Sequence, residues 1–162
     1  MPIPLSRQIQ NSIAVTSVPD PVEVRDTWRT GLEADETLND SDKTFTVTAS
    51  VEWHILAIWV EFTSTGTAGN RQLVIEFQDD AADVIGRVIA GITQAASLTR
   101  YYQFGPSLAD LEAERDGDWI MTPLPPTIVL PAGYVVRIYD NNAVDAAADD
   151  MIVQMLRAAR AV

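Results

Sequence analysis

Between Val51 and Gly91, apolar and polar residues fall into three short runs separated by turn-rich breaks. Trp53 to Phe62 is apolar on both faces of an extended chain. His54, Leu56, Ile58, Val60 and Phe62 share one parity, and Trp53, Ile55, Ala57 and Trp59 share the other. A doubly apolar strand is either covered on both sides within its own domain or half turned toward a partner. Gln72 to Gln78 alternates, with Leu73, Ile75 and Phe77 inward and Gln72, Glu76 and Gln78 outward, Val74 being the exception. Asp79 to Asp83 has the length of a hairpin loop. Val84 to Ala90 follows, and Gly86 in its interior predicts a bulge or a close backbone approach.

The same rhythm continues on either side. Thr44 to Val51 predicts a strand with Phe45, Val47 and Ala49 on one face and threonines on the other. Further strands are predicted over Leu98–Phe104, Thr127–Leu130, Tyr134–Asp140 and Met151–Arg157. Trp119-Ile-Met runs into Pro123-Leu-Pro-Pro, which is incompatible with a mid-sheet position. One helix is predicted, from Ser107 to Arg115, with Ser107 as cap and Asp110 at the capping-box position. A single helical turn fits Val144–Ala148. The expected fold is all-β: an antiparallel β-sandwich or jelly roll of about eight strands with one short helix and an extended N-terminal arm.

Residues 1–42 differ in character from the β-sandwich domain expected over 43–162. Pro2, Pro4, Pro19 and Pro21 punctuate them, and their apolar residues fit no clean period, leaving at most a short strand near Ile13–Val18. The stretch reads either as a lead-in lying over the domain or as an arm that reaches a neighbouring subunit. Trp28 suits an interface anchor or a core position equally. The candidate interface residues are Pro2, Ile3, Pro4, Ile9, Ile13 and Trp28 in the arm, with Trp53 and Trp59 in the central strand.

Charge narrows the partners. Across 162 residues, 11 basic side chains oppose 23 acidic ones, for a net charge of −12. Such a surface repels a nucleic-acid backbone and an anionic membrane alike. There is no cysteine, so disulfides and cysteine-based sites are excluded. The N-terminal residues do not read as a signal peptide and no apolar run spans a bilayer, so the expectation is a soluble protein made in the host cytoplasm.

Candidate chemistry is sparse. His54 is the only histidine, and it lies in an apolar strand, where a core or interface role fits better than catalysis. No serine sits in a nucleophile elbow. The acidic groups Asp79/Asp80/Asp83, Asp116/Asp118 and Asp145/Asp149/Asp150 lie in predicted loops and none follows the spacing of an EF-hand. No phosphate-binding glycine motif occurs. The expectation is a non-enzyme without cofactor, acting by binding or assembly.

Gly69-Asn-Arg-Gln-Leu-Val-Ile-Glu-Phe-Gln-Asp and Gln94-Ala-Ala-Ser-Leu-Thr-Arg-Tyr-Tyr-Gln-Phe-Gly-Pro resemble a recurring type of tailed-bacteriophage structural protein. Leu130-Pro-Ala-Gly-Tyr-Val-Val-Arg-Ile-Tyr-Asp and Asp145-Ala-Ala-Ala-Asp-Asp-Met-Ile-Val-Gln follow the same pattern. The resemblance covers most of residues 51–157 and implies a virion component of the head decoration, or cement, type. It further implies a jelly-roll-like homotrimer on the capsid exterior that clamps major capsid protein subunits. It identifies no functional residues. The alternative is a tail- or fibre-associated adhesion module, binding host glycan or receptor through loops 64–70, 79–83 and 140–150.

Overall fold

The computed structural model describes residues 27–108 and 117–162, and these form ten strands. In chain order they are β1 (Arg29–Asp35), β2 (Asp42–Thr46), β3 (Val51–Thr63), β4 (Leu73–Gln78), β5 (Val84–Ile89), β6 (Thr99–Pro106), β7 (Trp119–Leu124), β8 (Val129–Leu130), β9 (Val135–Asp140) and β10 (Asp150–Ala161). The larger sheet runs β1-β10-β3-β6-β7, with β8 added beside β3. The smaller runs β2-β9-β4-β5.

The winding is a set of nested pairs. β4 pairs with β5, β3 with β6, β2 with β9 and β1 with β10, all antiparallel. The pairings of β10 with β3 and of β9 with β4 join the nest into two sheets. Their inner faces meet in one core. Ile58, Val60, Phe62, Tyr102, Phe104, Ile120, Met151, Val153 and Met155 of the larger sheet pack with Phe45, Leu73, Ile75, Phe77, Val136 and Ile138 of the smaller. The fold is thus an all-β sandwich.

Several expectations need correction. There are ten strands among the described residues where about eight were expected. The sheets are not wholly antiparallel, since β6 and β7 pair parallel. A parallel neighbour requires a long crossover, and the connection 107–118 supplies one. No helix occurs among the described residues. Most of the helix predicted over 107–115 falls at 109–116, outside them, and Ser107 itself has φ 60°, not the extended backbone of a helix N-cap. Pro123 lies in β7, an edge strand, where a missing N–H is tolerated. Within the stretch read as an arm, Arg29–Asp35 is β1, the other edge of the larger sheet, and residues 1–26 lie outside the described residues. β1 escapes a periodicity reading because RTGLEAD holds one large apolar residue, and its strand character comes from pairing with β10.

The face assignment on β3 also changes. Ile58, Val60 and Phe62 face the core, but so do Trp53 and Ile55, of the opposite parity. The ladder with β10 shows why. Ala57 pairs with Leu156 and Ile55 pairs with the next residue, Arg157, so β3 carries one extra residue at Leu56–Ala57. A β-bulge of this kind shifts every later side chain to the other face. The chain around Gly86 is likewise bulged, between Gln78–Val84 and Phe77–Gly86. A side chain at Gly86 would meet Phe77 at an ordinary 3.8 Å, so the bulge forms there without a close approach.

Candidate interaction surface

The outer face of the larger sheet carries an aromatic patch. Cross-strand partners in a sheet share a face, so the register places two parallel rows there. One reads Ile152, Glu61, Tyr101, Trp119, and the next reads Gln154, Trp59, Gln103, Met121. Tyr101 and Trp119 stack with centroids 4.8 Å apart and planes inclined by 22°. Trp119 is 47% exposed. Trp59, Glu61, Tyr101, Trp119, Ile152 and Gln154 line an open cleft of about 450 Å³. Glu61 is the one charged side chain in that lining. Aromatic side chains with few charges are the composition that distinguishes the centre of protein interfaces from ordinary surface. Leu32, 53% exposed, extends the apolar surface onto β1, where it pairs with Leu156.

The candidate interface residues separate into three groups. Pro2, Ile3, Pro4, Ile9 and Ile13 lie outside the described residues. Trp53 is buried in the core, with the Arg157 guanidinium 5.1 Å from its ring centroid. Trp59 lies in the open cleft. Trp28 sits at the far end of the same outer face, edge-on to His54 at 5.9 Å, with the Arg160 guanidinium 4.8 Å above its ring. Trp28 therefore covers the His54 end of β3 and leaves the Trp59 end open. His54 Nε2 is buried with no hydrogen-bond partner among the described residues. Its ring meets Trp28, and its cross-strand partners are Ala158 and Val129.

The acidic loops form a structural joint. Four crossings between the sheets meet at one end of the sandwich: 36–41, 64–72, 90–98 and 141–149. Arg71, fully buried, donates from Nε and Nη2 to the two oxygens of Asp149, also fully buried, at 2.8 and 3.1 Å. It donates further to the carbonyls of Thr67 and Gly69 and to Thr65 Oγ1. Asp145 accepts from the Thr65 and Thr67 hydroxyls. Asp140 accepts from the backbone N–H groups of Gln72, Asn142 and Val144. Gln94, buried, donates to the Phe62 and Leu98 carbonyls and accepts from the Tyr102 hydroxyl. Burial pushes the Asp149 carboxyl up, but the bonds from Arg71 and Thr65 outweigh it and hold the group below the ordinary carboxylate range. A resident guanidinium thus takes the central position that a bound cation would take. Among the described residues no group of three metal-ligating side chains is assembled, and no helix is long and apolar enough to cross a membrane.

Of the loops considered for adhesion, 64–70 and 140–150 lie together in this joint, with their acidic side chains turned onto the chain itself. Loop 79–83 lies at the opposite end of β4, where Asp80 approaches Gly133. The three do not form one site. Arg71 and Gln94 were not singled out from sequence, and Asp149 was named only as one of an acidic loop group, because an arginine in a polar loop carries no mark of burial. The outward placement of Tyr101 beside Trp119, with Met121 in the next row, was also missed, since it depends on the parallel pairing of β6 and β7.

No family model matches this chain, and no curated protein matches it. Among solved structures, it is similar to an agarase, AgWH50C, at 6% identity and a TM-score of 0.30, covering 85% of this chain and 23% of that one. A structure of infectious bursal disease virus, Gx strain, is similar at 10% identity and a TM-score of 0.26, over 81% of this chain and 31% of the other. The VP2 subviral particle of infectious bursal disease virus is similar at 9% identity and a TM-score of 0.23, over 83% and 41%. The chain spans less than half the length of each, and alignments at these scores carry no argument about role.

Proposed function

We propose that this chain is a virion structural protein that works by assembly: a capsid decoration protein on the outer surface of a tailed-phage head, bridging major capsid protein subunits. The observation that carries the reading is the open aromatic cleft of Trp59, Tyr101 and Trp119 on the outer face of the larger sheet. None of these three rings belongs to the buried core, and Trp119 is exposed. A contiguous aromatic surface with one charge is suited to a protein partner. Two further features support the reading. The nested pairing of the strands is the winding of a jelly roll, a fold used in capsid and lectin domains, although fold by itself does not assign function. The net charge of −12 suits the outside of a particle better than its DNA-facing lumen.

The test is cosedimentation with expanded heads lacking this protein. The intact chain is expected to bind and to raise the temperature at which heads release DNA. Trp119→Ser and Trp59→Ser are expected to weaken binding at least tenfold, typical of losing a central interface aromatic, with the circular dichroism spectrum of the folded parent retained and at most a small fall in melting temperature. Localisation to tail tips by immunogold labelling would exclude the capsid reading. The arm contributes in the same proposal: deletion of residues 1–25 is expected to leave a folded β-domain that binds heads less tightly, and loss of folding would refute that role.

The second reading is a glycan-binding adhesion module. The same cleft offers aromatic faces flanked by the hydrogen-bonding side chains of Glu61 and Gln154, whereas the loops first considered are spread over both ends. Binding on a glycan array that disappears with Trp119→Ser, without head binding, would favour it.

A further inference from the structure

The cleft beside Trp59, Tyr101 and Trp119 is lined by one charged side chain, Glu61. The chain carries a segment of matching chemistry at its N-terminus. In a protein of net charge −12, residues 1–19 hold one charged side chain, Arg7. The first seven residues, Met-Pro-Ile-Pro-Leu-Ser-Arg, alternate proline with large apolar residues and end on that arginine. Proline at 2 and 4 favours an extended polyproline-type backbone with little conformational freedom left to lose on binding. Segments of this kind dock into grooves walled by aromatic rings. Tyr101 stacked on Trp119, with Trp59 lining the same cleft, supplies such walls, and Glu61 supplies the partner for an arginine.

The direction of β1 decides which cleft the segment meets. β1 and β3 both pair antiparallel with β10, so they run the same way. Arg29 is level with Ala159 and Trp53, and Asp35 with Val153 and Val60. The chain therefore enters β1 at the His54 end of the outer face, where Trp28 meets His54. Followed backward from Trp28, an extended chain leads away from Trp59. Arg7 precedes Trp28 by 21 residues, with Pro19 and Pro21 among them. At ~3.1 Å per residue in an extended proline-type chain that is a reach of about 65 Å. A domain of this size has a radius of gyration of about 15 Å and a width of about 40 Å, so the reach extends past its own domain to a neighbour. We infer that the cleft receives Met1–Arg7 of a second copy of this chain, with Pro2 and Pro4 against the rings of Trp59, Tyr101 and Trp119 and Arg7 at Glu61. The inference rests on the reading of the cleft as an assembly surface and names its occupant. Copies linked in this way hold a head jointly, so losing either the arm or the cleft lowers head binding through lost avidity.

The chain has no native cysteine, so the contact can be trapped in the full-length protein. Arg7→Cys chains mixed with Glu61→Cys chains under mild oxidation are expected to give the mixed covalent dimer, identified by mass. It should form at least tenfold faster than from Arg7→Cys mixed with Thr44→Cys, an exposed position on the smaller sheet. A chain carrying both Arg7→Cys and Glu61→Cys is expected to cross-link to other copies and not to close on itself. In sedimentation equilibrium the parent chain is expected to self-associate, and deletion of residues 1–25 or Trp119→Ser to weaken that association at least tenfold. Arg7→Glu is expected to weaken it about fivefold, the scale of one exposed ion pair, and adding Glu61→Arg to restore it. A parent chain that stays monomeric, closure of the double-cysteine chain on itself, equal cross-linking to Glu61→Cys and Thr44→Cys, or association that survives the deletion would each overturn the inference. So would Trp119-dependent head binding by chains whose arms do not cross-link to the cleft, a result that leaves the capsid reading standing. Arms that cross-link to the cleft in chains that do not bind heads would support the inference and refute that reading alone.

Discussion

Replacing Arg71 by methionine removes the cation at the centre of the joint while keeping an unbranched apolar side chain of similar reach. Five hydrogen bonds are lost: two to Asp149, two to the Thr67 and Gly69 carbonyls and one to Thr65 Oγ1. Asp149 then remains as a buried carboxylate, with the Thr65 N–H at 2.7 Å as its remaining donor. Removing one partner of a buried pair costs about 3–5 kcal/mol because the other charge stays desolvated. For a domain whose whole stability lies at about 5–15 kcal/mol, that is a loss of about a fifth or more. Urea denaturation at pH 7 is the assay, read as a fall in midpoint at constant slope.

Two controls separate this account from simple loss of packing. Asp149→Leu combined with Arg71→Met removes both charges, so its cost is expected to be below that of Arg71→Met alone and well short of the sum of the single variants. The pH dependence supplies the second. In the parent chain Asp149 titrates below its ordinary value, so its stabilisation is present above about pH 4 and is lost as pH falls through the depressed value. In Arg71→Met, only the Thr65 N–H still opposes burial, so the carboxyl rises and the group takes up a proton at higher pH. The gap between variant and parent is therefore expected to narrow from pH 7 toward pH 4. A cost below about 1 kcal/mol, or a gap independent of pH, would refute the reasoning.

Three other outcomes follow from the same geometry. Gly69 has φ 143°, and a Cβ there would lie 2.8 Å from Val144 Cγ1. Gly69→Ala is expected to cost about 1–3 kcal/mol in urea denaturation, and adding Val144→Ala should recover the steric part and leave the backbone part. Stability is expected to fall as pH drops below about 4.5, because three carboxyls titrate low in the folded chain. Asp35 is lowered by the Thr37 backbone N–H. Glu76 and Asp149 are raised by burial, but hydrogen bonds, to Glu76 from Gln78, Arg87 and Tyr139, carry them lower. A melting temperature flat from pH 6 to pH 3 would contradict this. Tyr102, buried and bonded to Gln94, has its hydroxyl pushed up to about 12. Its contribution is present below pH 10 and lost as pH rises through 12, so spectrophotometric titration should show at least one of the four tyrosines ionising only near unfolding.

The strands were legible in the sequence because each has a covered face. Phe45 on β2 with Val47 just beyond it, Leu73, Ile75 and Phe77 on β4, and Met151, Val153 and Met155 on β10 are buried at every second position, the period of a strand. What lay beyond the sequence depended on partners distant in the chain. Lys43 shares the inner parity of Phe45, yet it is buried with its Nζ donating to the Thr37 carbonyl at 2.8 Å, and nothing in DKTFT announces that acceptor. Glu76 reads as an outward, solvated position, but the neighbouring strands bring Arg87 and Tyr139 over it. Acidic loops at 140–150 look solvated because the arginine they enclose is some seventy residues away. The aromatic cleft is invisible for a similar reason: Trp59, Tyr101 and Trp119 come from three strands, and one of the two pairings that unite them is parallel.

The bulge on β3 connects the fold to its free surface. With strict alternation, Trp53 would share a face with Trp59, and both would be buried or both exposed. The extra residue at Leu56–Ala57 breaks that tie. Trp53 and Ile55 turn inward beside Ile58, while His54 and Trp59 remain outside. At the His54 end, Trp28 and Arg160 close over the strand from within the chain. At the other end, Tyr101 and Trp119 stand beside Trp59 and leave a cleft between them. The doubly apolar strand is thus covered by its own chain over one half only, and the open half is where a partner would gain most. If that surface were merely tolerated, Trp59→Ser and Trp119→Ser would change solubility and nothing else. Since neither ring contributes to the core, loss of head binding in a variant that melts like the parent can come only from the contact itself.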